Sequence, residues 1–148
     1  WRVGLRPLIQ PRHPTSIGKI SFERAKVMNT PFGWGVIQGQ KKVVGWAGVS
    51  RFDPKLAYER TAEFSFYVLD AYQGQGVGRS LLKHALDGLK GHSTIQSLVS
   101  RIALQQEASL HLHQSLGFVH IGTLENVGFK LGQSLSVALC QFQLVDAD

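Results

Sequence analysis

The sequence predicts an α/β domain on a mixed sheet, and three observations carry that prediction. Short runs rich in valine, isoleucine and phenylalanine recur along the chain with strand-like alternation. One of them leads through a glycine-rich turn into a strongly amphipathic helix, and a shorter helical segment separates the later runs. Strands interspersed with helices bury their apolar faces against one another as a layered α/β fold. At 148 residues and 43% hydrophobic, the chain has the size of a single domain spanning 1–148.

The first 16 residues are irregular, because Pro7, Pro11 and Pro14 bar a continuous helix. Residues 16–29, with Ile17, Ile20, Ala25, Val27 and Met28, read as a weakly amphipathic helix closed before Pro31. Two antiparallel strands are expected over residues 33–37 and 43–52, joined by a hairpin loop containing Gly39. Asp53-Pro54 turns the chain into a third strand, residues 62–69. There Glu63, Ser65 and Tyr67 share one face and Phe64, Phe66 and Val68 the other, with Glu63 expected to point inward beside Tyr67.

Leu81, Leu82, Ala85, Leu86 and Leu89 then form one helical stripe, and Gly91 is placed to end it. A strand at residues 97–104, a short helix at 109–116 stopped by Gly117, and strands at 119–124 and 137–144 complete the reading.

Several function classes drop out on composition. No run of about 18 apolar residues escapes a charge, and the N-terminus lacks the apolar core of a secretion signal, so a soluble, cytoplasmic protein without membrane partners is expected. The lone Cys140 cannot form an internal disulfide and reads as a buried core thiol. The net charge of +6 suits a polyanionic ligand. Its lysines and arginines form no run longer than Lys41-Lys42 and no stripe with aromatics, which argues against nucleic acid. No metal is expected.

The chemistry concentrates in the turn Gln73-Gly74-Gln75-Gly76-Val77-Gly78-Arg79. A strand–glycine turn–helix unit presents unpaired backbone N–H groups and the positive end of a helix dipole to one point, where a phosphate belongs. Arg79 sits in the first helical turn, where a cation is unfavourable unless an anion is bound nearby. The dinucleotide fingerprint would need glycine at Arg79, and a P-loop would need Lys-Ser or Lys-Thr where Arg79-Ser80 stands. The pattern Gln-x-x-Gly-x-Gly survives. On this segment alone a ligand-free glycine turn is the alternative.

Gln73-x-x-Gly76-x-Gly78 resembles the pyrophosphate-binding motif of the GNAT superfamily of N-acetyltransferases. Three more blocks extend the resemblance from about Gly33 to Leu144: Ala108 to Phe118, Ala57-Tyr58-x-x-Thr61-Ala62-Glu63-x-Ser65-x-Tyr67-Val68, and Val127-Gly128-Phe129-Lys130-x-Gly132. Together they look like the phosphinothricin or methionine sulfoximine acetyltransferase subgroup.

The resemblance implies a mostly antiparallel sheet splayed between two parallel strands, with flanking helices and acetyl-CoA as co-substrate. By it, Gln73, Gly74, Gln75, Gly76, Val77, Gly78 and Arg79 hold the pyrophosphate, and backbone at Tyr67 and Val68, with Gln106 and Ser109, meets the pantetheine arm. The family's carboxylate-recognising basic residue falls on Lys55, with Tyr58 beside it, and the two are expected to bind a small-molecule amine substrate. The acetyl group is expected near both Glu63 and His113. An amine is mostly protonated at neutral pH, so transfer needs a base, for which Glu63 is the candidate, and an acid or second polar contact, for which His113 is the candidate. A solvated strand-end carboxylate and a buried structural histidine are the plainer readings of these two. His111 reads as a surface residue.

The chain departs from the family in several places. Its first strand and helix are short or missing, Gln106 stands where relatives carry Asn, and Ser134 and Ser136 replace Trp and Asp. Lys55 replaces an Arg and cannot make its two-pronged carboxylate contact. Direct transfer is expected, since no nucleophilic Cys or Ser is well placed. A CoA-binding module without catalysis, or an acetyltransferase acting on a peptide or aminoglycoside amine, is the alternative. Homodimers are common in the resembling family, and the apolar late strands suit one.

Overall fold

The computed structural model describes residues 20–24, 32–38, 42–90 and 94–144. Its elements in chain order are β1 (Ile20–Arg24), β2 (Phe32–Gln38), β3 (Lys42–Arg51), β4 (Thr61–Val68), α1 (Val77–Leu89), β5 (Ser97–Ala103), α2 (Glu107–Ser115), β6 (Val119–Lys130) and β7 (Gln133–Gln143). Single turns of 3-10 helix precede β4 at Leu56–Tyr58 and follow it at Asp70–Tyr72. The seven strands form one sheet in the order β1-β2-β3-β4-β5-β7-β6.

Every strand pairing is antiparallel except β4 with β5. That exception follows from α1, since a helix returning the chain to the same end of the sheet is what makes neighbouring strands parallel. Leu81, Leu82, Ala85, Leu86 and Leu89 are all buried, as their spacing predicts, and Val77 joins them. They face the β4 side that carries the buried Ala62, Phe64 and Val68. Gly78 lets the helix come this close: a Cβ there would lie 3.3 Å from Leu112 of α2 and 3.5 Å from Phe66. The two helices therefore cover the same face of β4.

The expected helix over 16–29 is corrected where it can be followed. Ile20–Arg24 is a strand, with Ile20 opposite Gln38 and Arg24 opposite Trp34. Apolar Ile20 and Phe22 alternate with Ser21 and Glu23, a period-two pattern that suits an edge strand as well as the weak helical one suits a helix. The rest of that segment, the irregular start with the expectation about the first strand and helix, the loop at Gly39 and Gly91 lie outside the described residues.

The second departure is the length of the last hairpin. β6 and β7 run on to a two-residue turn at Leu131 and Gly132, both at positive φ (51° and 77°), the geometry that lets tightly twisted strands reverse. Between Leu124 and Gly128 the register shifts, with Asn126 at φ 55°. Ser136 Oγ accepts from the Asn126 N–H at 3.1 Å, and Ser134 Oγ donates to Asn126 Oδ1 at 3.0 Å. The two serines thus pin the bulge, which breaks the alternation on which strand recognition depends.

Candidate functional site

β4 and β5 part company halfway along. Their parallel pairing covers only Thr61 with Ser97, Ala62 with Leu98 and Glu63 with Val99. β4 continues to Val68 paired with β3 alone, and β5 continues to Ala103 paired with β7 alone. Beyond Glu63 and Val99 the sheet is a fork, and the inner backbone edges of both strands face a gap rather than each other. Such edges are ready partners for an extended chain bearing amides of its own.

The glycine turn lies beyond the end of β4. Gln73 joins the two, its side-chain amide donating to the Val68 carbonyl and to Asp70 Oδ1, each at 3.1 Å. Gly76 is the N-cap of α1 at φ 82° and offers no capping side chain, so the first-turn N–H groups have no side-chain partner there. A Cβ on Gly76 would meet nothing within 4 Å, so backbone conformation, not crowding, demands glycine. Gln75 braces the turn from behind through the Ala71 carbonyl at 3.0 Å. Arg79 is exposed and donates to Ser115 Oγ at 2.9 Å, tying the start of α1 to the end of α2.

Glu63 stands where the fork opens, on the face opposite α1 and α2 with Ser65 and Tyr67. Its carboxylate takes two hydrogen bonds from Arg101 of β5, Nε to Oε1 at 2.8 Å and Nη2 to Oε2. The pair spans the mouth of the fork and is open to solvent, the Glu63 side chain 24% and that of Arg101 51% exposed. Glu63 therefore does not point into the core.

His113 lies on the other face, 2% exposed, its ring centroid 4.8 Å from Phe118, 5.3 Å from Phe66 and 6.3 Å from Phe64. Nδ1–H donates to the Ser109 carbonyl at 2.8 Å, which leaves Nε2 with a lone pair and no partner. Burial lowers the imidazole pKa from its ordinary 6.5, against a smaller upward pull from the Ser109 carbonyl. The ring is thus a neutral acceptor at pH 7. The structure does not bring Glu63 and His113 together on one face: strand alternation puts β4 between them.

A stability test follows from that burial. Between the lowered folded pKa and 6.5 the unfolded chain binds the proton and the folded one does not, so stability falls as pH drops through 6.5. Above 6.5 both forms are neutral and His113 contributes no slope. We expect wild type to lose more stability than His113→Gln between about pH 7.5 and about pH 5.5, by up to about 1.4 kcal/mol per pH unit, in urea titrations. Equal losses would refute the assignment.

The remaining candidates spread along the rim. Lys55 and Tyr58 sit on the exposed turn before β4, where the Lys55 N–H is held by Asp53 Oδ1 at 2.9 Å and the Tyr58 ring packs edge-on against Phe52. Gln106 is the exposed N-cap of α2, with no side-chain cap bond, and Ser109 is half-buried one turn later. His111 is exposed. Cys140 is fully buried, which raises its thiol pKa. No group of three or more His, Cys, Asp or Glu that could hold a metal occurs among the described residues.

Two polar residues were missed by sequence reasoning. Arg101 is the one charge in β5, but only the strand register places it against Glu63. Ser100 is 1% exposed, and its hydroxyl has no hydrogen-bond partner. It follows Val99 on β5 as Phe64 follows Glu63 on β4, so it sits at the fork on the helix side. An uncapped glycine turn, a backbone gap and buried polar atoms beside it fit a ligand with a phosphate end and an amide-bearing arm.

Comparison with known proteins gives the same picture. The acetyltransferase (GNAT) family model matches residues 4–118. A phosphinothricin N-acetyltransferase from Alcaligenes faecalis is 35% identical over 92% of this chain and 75% of its own length. An L-amino acid N-acyltransferase from Escherichia coli is 38% identical over 74% of this chain and 60% of its own. A putative acetyltransferase from Salmonella typhimurium, solved with its cofactor acetyl-CoA, superposes with a TM-score of 0.74 at 31% identity over 79% of this chain and 66% of that one. The chain thus spans about two thirds of the length of these relatives.

Proposed function

Because the chain belongs to the acetyltransferase (GNAT) family, we propose that it transfers the acetyl group of acetyl-CoA directly to the primary amine of a small amino-acid-like acceptor of the phosphinothricin or methionine sulfoximine type. The observation that carries this reading is the fork between β4 and β5, with an uncapped helix N-terminus beyond one end and a carboxylate at its mouth.

Acetyl-CoA supplies an acyl carbon activated as a thioester; overall, an ammonium ion and the thioester give an amide, a thiol and one proton. Backbone N–H groups of residues 74–79 bind the pyrophosphate and neutralise its charge with the helix dipole, while the Gln73 N–H stays on the Asp70 carbonyl. Tyr67 and Val68 offer backbone to the pantetheine arm, with Gln106 and Ser109 across from them on α2. Glu63 takes the ammonium proton of the acceptor, which frees the nitrogen lone pair. His113, neutral and with Nε2 as an acceptor, serves as a polar contact on the opposite side of β4 and not as the acid. Lys55 and Tyr58 border the acceptor's approach. Transfer is direct, since Cys140 is sealed in the core and the Ser100 hydroxyl at the fork has no hydrogen-bonded base to activate it for an acyl-enzyme.

Acetyl-CoA should raise the thermal midpoint of the chain, as any ligand specific for the folded state does, and an amine screen following thiol release should identify the acceptor. Gly76→Val should remove the thermal shift, because a β-branched residue resists φ 82° and its side chain would crowd the phosphate. An unchanged shift would take the turn out of cofactor binding. A shift without turnover on any amine would favour a CoA-binding module.

Exposed apolar residues along the terminal hairpin, Val119, Ile121, Val127, Phe129 and Leu131, support a homodimer formed through that edge. Sedimentation of Phe129→Asp beside wild type tests it: one species for both would count against this edge. Among the described residues no helix is long and apolar enough to cross a membrane. The single reduced Cys140 accords with a cytoplasmic setting.

A further inference from the structure

The geometry points to Arg101 as the residue that receives the acceptor's carboxylate, exchanging Glu63 for it when the acceptor binds. This inference rests on the acetyltransferase reading and adds to it the residue that recognises the carboxylate of the amino-acid-like acceptor.

Glu63 and Arg101 form a two-pronged pair between neighbouring strands at the mouth of the fork. While it is closed, the guanidinium holds both carboxylate oxygens, and Glu63 cannot take a proton from an amine. An uncharged amine has nothing with which to open it. An amino-acid zwitterion has both charges needed: its carboxylate replaces that of Glu63 on the guanidinium fork, and its ammonium replaces the guanidinium beside Glu63. Each ion keeps an opposite partner throughout, so the exchange strands no charge.

Three features make the exchange feasible. The pair is solvent-open, and exposed ion pairs hold together weakly, so swapping partners costs little. A guanidinium matches a carboxylate in a planar, bidentate fit, which the ammonium of Lys55 cannot reproduce. The β4–β5 backbone pairing ends at Glu63, so the face opposite α1 and α2, where the pair lies, borders the gap where the reading above places the pantetheine arm.

The test compares discrimination within one enzyme, so that general damage cancels. L-methionine and L-phenylalanine are each assayed against their own carboxamides by thiol release with acetyl-CoA, using wild type, Arg101→Met, Arg101→Lys and Lys55→Met. Far-UV circular dichroism and the acetyl-CoA thermal shift check folding and cofactor binding. We expect wild type to favour the acids over the amides by roughly 10² in kcat/KM, mainly through KM. Arg101→Met should bring the ratio to within about threefold of one and Arg101→Lys should restore only part of it, whereas Lys55→Met, which lowers kcat/KM for acid and amide alike, should move the ratio by less than about threefold.

A ratio unchanged in Arg101→Met overturns the inference and leaves the acetyltransferase reading intact. So does a ratio that collapses in Lys55→Met alone, or a wild type that acetylates amides as readily as acids. Absence of thiol release with any amine overturns both.

Discussion

Glu63→Gln should lower turnover on the amine acceptor by roughly 10² and leave the acetyl-CoA thermal shift intact, within the usual contribution of a general base. The amide has the size of the carboxylate and keeps an oxygen to accept from Arg101, so the mouth of the fork retains its shape. What it loses is the capacity to take a proton at neutral pH. The folded chain should notice little, because the pair it breaks is partly exposed and such pairs contribute about 1 kcal/mol or less. Measured as kcat across a full pH profile, the variant should lose the acidic limb that reports the base. Turnover equal to wild type at every pH would remove Glu63 from the mechanism.

Phe64→Ala should cost about 3–5 kcal/mol of folding stability, the usual range for deleting a buried aromatic ring. Phe64 is 1% exposed and packs its ring against both His113, at 6.3 Å, and Phe118, at 6.1 Å. The cavity would open beside the histidine whose neutral form depends on burial, so the stability loss and the acid-side slope of His113 should change together. Leu56→Ala is the control: the residue is 76% exposed and the change should fall within about 0.5 kcal/mol. Urea titration decides, and a Phe64→Ala loss under about 1.5 kcal/mol would mean that this cluster is not the core it is taken for.

Some parts of this molecule were legible because local physics fixes them. The α1 stripe from Leu81 to Leu89 shows its period in the sequence and is buried in the structure, since a helix brings such residues to one side whatever it packs on. The alternation of β4 is read in the same way, and Phe64 and Val68 do turn to the core while Ser65 and Tyr67 turn to solvent. The turn at Gly76 was also legible, because a positive φ at a helix start is a glycine property.

Other parts are written in no local pattern. Ile20–Arg24 is a strand because β2 is there to pair with it, and tertiary pairing overrides a weak helical period. The hairpin at residues 119–143 hides behind its bulge at Asn126, whose two pinning serines act from the opposite strand. By itself, then, the sequence determined the strand faces, the main helix and the glycine turn before it, each set by neighbours within a few residues. The tertiary structure alone decided that β4 and β5 separate after Glu63, that His113 and Glu63 stand on opposite sides of the sheet, and that Arg101 closes over Glu63. Those facts depend on the register between strands whose paired residues lie 36 positions apart, as Thr61 and Ser97 do, and register is settled by how whole faces pack and not by any residue's own preference.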